Sequence, residues 1–227
     1  MMLDDKIWMG SKGPCVGNIP RIDRLGFKGL CLHNWPLVIR QATYASVLPA
    51  GPSCGAIWNK DLIYQRGLDL EQEFKDKRCQ FCSELTAGAL GRSPYGGQNW
   101  EAFSLDAYLS SIALSLTVVG MQSSGLQRVM SSSPMCGGKG KFLPEPACVK
   151  HFIGSEHSQS KPGETIYSAS FNIDDCTLHE LYLWSFAGAI KGNLPSIMSS
   201  LNCVNNTYTC ENSKILNRIV KEELPGS

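Results

Sequence analysis

The residues able to hold or transform a ligand fall in a few places. Gly91-Arg92-Ser93-Pro94-Tyr95-Gly96-Gly97-Gln98-Asn99-Trp100-Glu101 is glycine-rich and carries a cation, an aromatic face and a carboxylate. Trp100 could stack on a sugar ring, and Arg92 or Glu101 could bind hydroxyls; a structured loop without a ligand fits the same letters. It is not a phosphate loop, because the Lys-Ser/Thr ending and the strand-to-helix glycine pattern are missing. Lys150-His151-Phe152 follows the apolar Ala147-Cys148-Val149, which puts a cation and an imidazole at the C-terminal end of a strand. In α/β barrels ligands are bound at that end, although an exposed strand end reads the same way. Cys79-Gln80-Phe81-Cys82 has metal or redox spacing, but tetrahedral zinc needs a further ligand pair. Cys203 and Cys210 are spaced too widely and lack nearby histidines, so cysteines in a buried strand are the better reading and no metal is expected. Asp174-Asp175 reads as helix capping. No Gly-x-Ser-x-Gly elbow is present.

These residues need elements to position them. Asn59 is placed to cap a helix carrying Leu62, Ile63, Leu70 and Phe74. Asp106 or Ser104 starts another with Leu109, Ile112, Leu116 and Val119. Asp174 or Asp175 precedes Leu178, Leu181, Trp184 and Ile190, with Gly192 at the stop. Asn212 or Ser213 precedes Ile215, Leu216, Ile219 and Val220. Each spacing sets apolar groups on one helix face behind a capping side chain. Between them, Gly29 to Leu32, Cys79 to Cys82, Cys148 to Phe152 and Pro195 to Ser199 read as short buried strands. Helices alternating with such runs predict an α/β fold of parallel βα units. Periodicity does not separate a closed barrel from an open sheet.

The chain has 227 residues, 43% hydrophobic, which suits one globular domain with a real core. No internal repeat or linker marks a second domain. A net charge of +1 gives no electrostatic reason to expect nucleic acid or an acidic membrane as partner. The longest apolar runs, such as Ile112 to Met121, are broken by Ser and Thr and are too short to span a bilayer. Met1-Met2-Leu3-Asp4-Asp5-Lys6 shows no signal-peptide pattern, which alone reads as cytosolic or as a missing true start. Against that, there are 10 cysteines, and Asn205-Asn206-Thr207 is a glycosylation sequon, which point to secretion.

The order of motifs resembles one family. Gly13-Pro14-Cys15-Val16-Gly17-Asn18, Ile22-Asp23-Arg24-Leu25-Gly26-Phe27, Leu30-Cys31-Leu32, Pro49-Ala50-Gly51 and Trp58-Asn59-Lys60-Asp61-Leu62 come in sequence. The Gly91 to Glu101 loop, Lys150-His151-Phe152-Ile153-Gly154 and Asn172-Ile173-Asp174-Asp175 follow. His179-Glu180-Leu181-Tyr182-Leu183-Trp184, Ser196-Ile197-Met198 and Val204-Asn205-Asn206 complete the series. Together they are similar to family 3 glycoside hydrolases of the fungal β-glucosidase type.

That resemblance implies a (β/α)8 TIM-like barrel of parallel strands and helices, incomplete here, followed in the family by a second α/β domain. It implies residues 1–227 as a partial N-terminal barrel domain, with an inserted loop at 127–146 (Ser/Gly/Pro-rich and without apolar period) and no C-terminal domain. The implied reaction is retaining hydrolysis of terminal non-reducing β-D-glucosyl residues, as in cellobiose and cellulose breakdown, without a cofactor. It uses an Asp nucleophile and a Glu acid/base about 5–5.5 Å apart. The family pattern puts both carboxylates beyond this sequence, so no catalytic residue is assigned within it and the chain alone is expected to be inactive.

By the same resemblance a β-glucoside or glucose is held by Asn34, Arg40, Gln98, Lys150, His151 and Met198. Asn34 stands where the family has a sugar-binding Asp, Gln98 where it has an Arg, and Leu201 where a Tyr supports the nucleophile. An Asn lacks the charge that makes hydrogen bonds to sugar hydroxyls strong. Cys15 and Cys31 match a family disulfide, worth about 3 kcal/mol in the chain-entropy model. Asn205 carries the expected glycan, and secretion is expected by family. Three readings stand together: part of a secreted β-glucosidase, a non-catalytic sugar-binding relative, or a decayed product.

Overall fold

Asn59 starts the longest helix as its side chain predicts. Its Oδ1 accepts from the amides of Asp61 and Leu62, closing two N–H groups that the first helical turn leaves open. The structure is a computed structural model and describes residues 17–33, 37–39, 42–77, 81–88, 98–123, 147–155 and 170–224. The 127–146 segment, Asn34, Arg40, Cys15 and the side chain of Cys31 lie outside the described residues.

The helices are α1 (Gly51–Ile57), α2 (Lys60–Asp76) and α3 (Ala107–Gln122). They are followed by α4 (Asp175–Thr177), which runs through a π-wound turn, Leu178–Tyr182, into α5 (Leu183–Lys191). A π-wound helix, Lys214–Glu223, closes the described chain. Asp106 caps α3 through the amide of Leu109, Asp174 caps α4 through that of Thr177, and Gly192 ends α5. Asn212 rather than Ser213 caps the last helix, accepting from the amide of Ile215 at 3.3 Å.

The strands are β1 (Gly17–Ile19), β2 (Leu30–His33), β3 (Phe81–Thr86), β4 (Ala147–Phe152) and β6 (Ser196–Ser199), forming one five-stranded sheet in the order β1-β2-β3-β4-β6. β2, β3, β4 and β6 run parallel, as the alternation with helices predicts. β1 departs from the all-parallel expectation: it pairs antiparallel with β2, after a 3-10 turn at Asp23–Leu25 reverses the chain. The described part of the sheet is open rather than closed. A smaller sheet joins β5 (Ser170–Phe171), β7 (Cys203–Val204) and β8 (Thr207–Tyr208). Its β7–β8 turn is Asn205-Asn206, with φ of 49° and 67°, a left-handed pair that asparagine tolerates in tight hairpins. Strand pairs this short carry no sequence period.

β4 is the centre of the molecule. Ala147, Cys148 and Val149 are buried, because a parallel strand covered on both faces meets helices rather than water. Phe152 meets Phe186 of α5 edge to face, with ring centroids 4.7 Å apart. Across the helical layer, α2 and α3 approach until their backbones touch. A Cβ on Gly67 would lie 2.5 Å from the Thr117 carbonyl oxygen and 3.1 Å from Cα of Gly120. No helix among the described residues is long and apolar enough to cross a membrane.

The last helix is tied to α4 by charge. His179 Nδ1 donates to the Asp175 carbonyl at 2.7 Å and Nε2 to Glu223 Oε2 at 2.9 Å. Lys214 pairs with Asp175 at 2.7 Å, and Arg218 with Glu223 at 2.9 Å. The Glu223 carboxylate, then the Asp175 carbonyl, raise the His179 pKa above its ordinary 6.5. The His179 hydrogen bond lowers that of Glu223 below 4.5.

Two outcomes follow. Gly67→Ala gains about 1 kcal/mol of helix propensity but overpacks two backbones, so a net loss of about 2 kcal/mol is expected, read as a lower denaturation midpoint at unchanged slope. The raised His179 pKa means its contribution is complete below 6.5 and disappears as pH climbs through the raised value. The Glu223 share disappears only as pH falls through its lowered value. Thermal melts from about pH 5.5 to about pH 9 should therefore show a fall in Tm at the alkaline end that His179→Gln flattens.

Candidate functional site

The parallel strands bring their C-terminal ends together. β3 ends at Thr86, which is in register with Lys150 of β4, and Phe152 is in register with Ser199, next to Met198 on β6. Lys150 is 2% exposed on the central strand. An ammonium removed from water needs a partner. It has Glu101: Lys150 Nζ lies 3.5 Å from Glu101 Oε2, and the Thr86 hydroxyl donates to the same oxygen at 2.7 Å. The Lys150 carbonyl accepts from the amide of Ala87 at 2.7 Å, which ties β4 to the chain leaving β3.

Glu101 is held by α1. Cβ atoms on Gly51 would collide with the carbonyls of Glu101 and Ala102, and one on Gly55 with the Phe103 carbonyl, so these glycines let the helix lie directly on the 101–103 backbone. Arg66 of α2 locks both partners: its Nε donates to the Pro49 carbonyl at 2.9 Å, and its guanidinium sits 5.9 Å from the centre of the Phe103 ring.

At the next residue along β4, Gln98 Nε2 lies 3.4 Å from His151 Nε2. Burial and the neighbouring Lys150 charge push the His151 pKa down to about 3, so this imidazole is neutral at ordinary pH. Its Nδ1 is buried and has no hydrogen-bond partner among the described residues. After His151, the chain is pinned from β6: Ser200 N–H donates to the Phe152 carbonyl at 2.6 Å, and the Ser200 hydroxyl and Asn202 amide donate to the Ile153 carbonyl at 3.1 and 3.3 Å.

Of the residues predicted to bind ligand, the structure therefore brings together Gln98, Lys150 and His151. Met198 stands half-buried near the end of the neighbouring strand, β6, and Trp100 is exposed beside Glu101. Asn34 and Arg40 lie outside the described residues. Asn205 lies elsewhere, in the small sheet, where its side chain accepts from Ile173 N–H at 2.9 Å and donates to the Ile173 carbonyl at 3.0 Å. Leu201 is exposed. Thr86 lies at the end of β3, which runs four residues beyond the 79–82 stretch that the apolar pattern marks; Ser83-Glu84-Leu85-Thr86 carries no apolar run or clean alternation to signal it. Among the described residues no group of three or more His, Cys, Asp or Glu converges as a metal site.

Residues 37–225 match the family model described as the glycosyl hydrolase family 3 N terminal domain. The chain belongs to glycosyl hydrolase family 3. Probable beta-glucosidase G of Aspergillus flavus is 44% identical over 236 residues, taking in 99% of this family 3 chain and 27% of that protein. The β-D-glucoside glucohydrolase of Trichoderma reesei superposes with a TM-score of 0.78 at 34% identity, over 97% of this chain and 28% of that one. The β-glucosidase of Kluyveromyces marxianus, solved in complex with glucose, gives a TM-score of 0.77 at 26% identity, over 97% and 24%. The family 3 chain thus spans about a quarter of the length of the curated relatives it matches.

Removing one member of a buried ion pair strands the other. Glu101→Ala is expected to destabilise by about 3 kcal/mol, measured by equilibrium denaturation. Lys150→Met in the same chain should restore most of that loss, because an apolar replacement of a buried pair is close to neutral.

Proposed function

We propose that this chain is the sugar cradle of a β-glucosidase-type glycoside hydrolase, built on an incomplete (β/α)8 barrel. The observation that carries this is the convergence of Gln98, Lys150 and His151 at the C-terminal ends of parallel strands, the end where barrel enzymes hold their ligands. The names of the relatives support a terminal β-D-glucosyl unit as the ligand, and the K. marxianus relative holds glucose. A cluster of N–H donors beside the exposed indole of Trp100 suits the polar edge and apolar face of a pyranose. Met198, Arg40 and Asn34 complete the cradle in this reading.

Retaining hydrolysis needs two opposed carboxyl groups. The described cluster offers one, Glu101, and its Oε2 already serves Lys150 and Thr86. The described cluster supplies hydrogen-bond donors rather than an opposed carboxyl pair, so we assign it sugar binding rather than the bond-breaking step. A non-catalytic sugar-binding relative is the second reading, favoured by Asn34 and Gln98 where the family resemblance implies Asp and Arg. Secretion, a Cys15–Cys31 disulfide and a glycan on Asn205 belong to the same proposal.

Calorimetric titration of the 227-residue chain with glucose should give saturable binding near ~1 mM, weakened about tenfold or more by Lys150→Met. Turnover of an aryl β-glucoside should not exceed the uncatalysed rate. A clear rate abolished by Glu101→Gln would overturn the proposal.

A further inference from the structure

Charge brings Glu101 to Lys150, but charge does not say where the carboxylate stops. Coulomb attraction prefers no angle and changes slowly with distance. Lys150 Nζ and Glu101 Oε2 are 3.5 Å apart, beyond the roughly 2.7–2.9 Å of a charge-assisted N–H···O bond. Glu101 reaches the pair from a loop on a long, rotatable side chain, and holding such a side chain still costs free energy. Among the described residues, the hydrogen bond that fixes its carboxylate comes from the Thr86 hydroxyl, at 2.7 Å. Thr86 is well placed to hold it. β3 and β4 are parallel there and Thr86 is in register with Lys150, so the pleat sends both side chains to the same face of the sheet. The Ala87 N–H, bonded to the Lys150 carbonyl, holds that register at the strand end. Thr86 is 6% exposed, and the two groups on its Cβ restrict its rotamers.

We propose that Thr86 is a positioning residue of the site: its hydroxyl sets where the Glu101 carboxylate stands, and through Glu101 where the Lys150 ammonium stands. Thr86 touches no ligand in this assignment. Valine has nearly the same shape without the donor, so at this position it removes the hydrogen bond and keeps the packing. Serine keeps the donor and drops the methyl. The positioning of the ion pair stands on the protein alone; only its consequence for a sugar rests on the function proposed above.

The test is a thermodynamic cycle, read by equilibrium denaturation of the full chain. Thr86→Val is expected to lower the folded-to-unfolded ratio about tenfold, the scale of a hydrogen bond to a charged group. Thr86→Ser should recover most of that loss. In the Glu101→Ala, Lys150→Met background the hydroxyl has no carboxylate to hold, so Thr86→Val should cost nothing there. An equal cost in both backgrounds would overturn the proposal, because residue 86 would then act by packing. Should Thr86→Val fail to fold by itself, it is expected to fold in the background lacking both charges, and failure there as well would refute the assignment. Glucose titration of the same variants separates the two claims. A several-fold loss of affinity in Thr86→Val that Thr86→Ser restores carries the positioning through to the sugar. Full glucose affinity in Thr86→Val would defeat the claim that Lys150 is placed through Thr86. The expected cycle with no glucose binding in any variant sustains the role of Thr86 and sinks the sugar cradle.

Discussion

A lysine ammonium that is almost wholly buried on the central strand sets the terms for the rest of the molecule. Water cannot solvate Lys150, so the fold has to bring a carboxylate to it, and that carboxylate comes from a loop far away in sequence. The loop is in turn placed by a chain of contacts that begins in the helical layer. Arg66 fixes the start of α1 through Pro49 and braces Phe103, while Gly51 and Gly55 let α1 lie against the backbone that carries Glu101. Replace any of these and the consequence arrives at the Lys150 side chain. This is why the residues that position the site look, one by one, like ordinary packing residues.

The far side of the site is held by a different device. Ser200, Asn202 and Thr209 are buried polar groups, and they are spent on backbone carbonyls: Ser200 and Asn202 on Ile153, and Thr209 on Ser200 itself. Buried polar side chains that satisfy carbonyls are stabilising where the same groups unpaired would be costly. Their effect is to fix the two residues that follow His151, so the imidazole cannot drift along the strand direction. The Asn205 amide does the same for Ile173, bridging both its N–H and its carbonyl.

What was legible in the sequence was what is local. Asn59, Asp106, Asp174 and Gly192 act within a turn of their own helix, and each does what its letter predicts. The parallel strands were legible as short apolar runs, except for the second half of β3, where Ser83-Glu84-Leu85-Thr86 offers neither an apolar run nor an alternation. β1, β5, β7 and β8 were not legible: two or three residues hold no period, and they exist through register with partners distant in the chain. The candidate site residues Lys150 and His151 were visible as a strand end, and Gln98 as a loop residue. Their joining to Glu101 and Thr86 is a tertiary fact that no local pattern encodes.

Two histidines show how the same letter is given opposite chemistry by its neighbours. His179 stands between two acceptors, the Asp175 carbonyl and the Glu223 carboxylate, on a partly open surface, and both ring nitrogens are drawn toward carrying protons. His151 stands beside a cation and largely buried, and both oppose a second proton. The first arrangement makes a charged fastener whose strength depends on pH; the second keeps its imidazole neutral at ordinary pH. A site that must hold an uncharged ligand by hydrogen bonds gains from the second kind, because geometry rather than titration then decides whether it binds. The surroundings of Lys150 therefore do more than tolerate a buried charge: they also keep the neighbouring imidazole neutral.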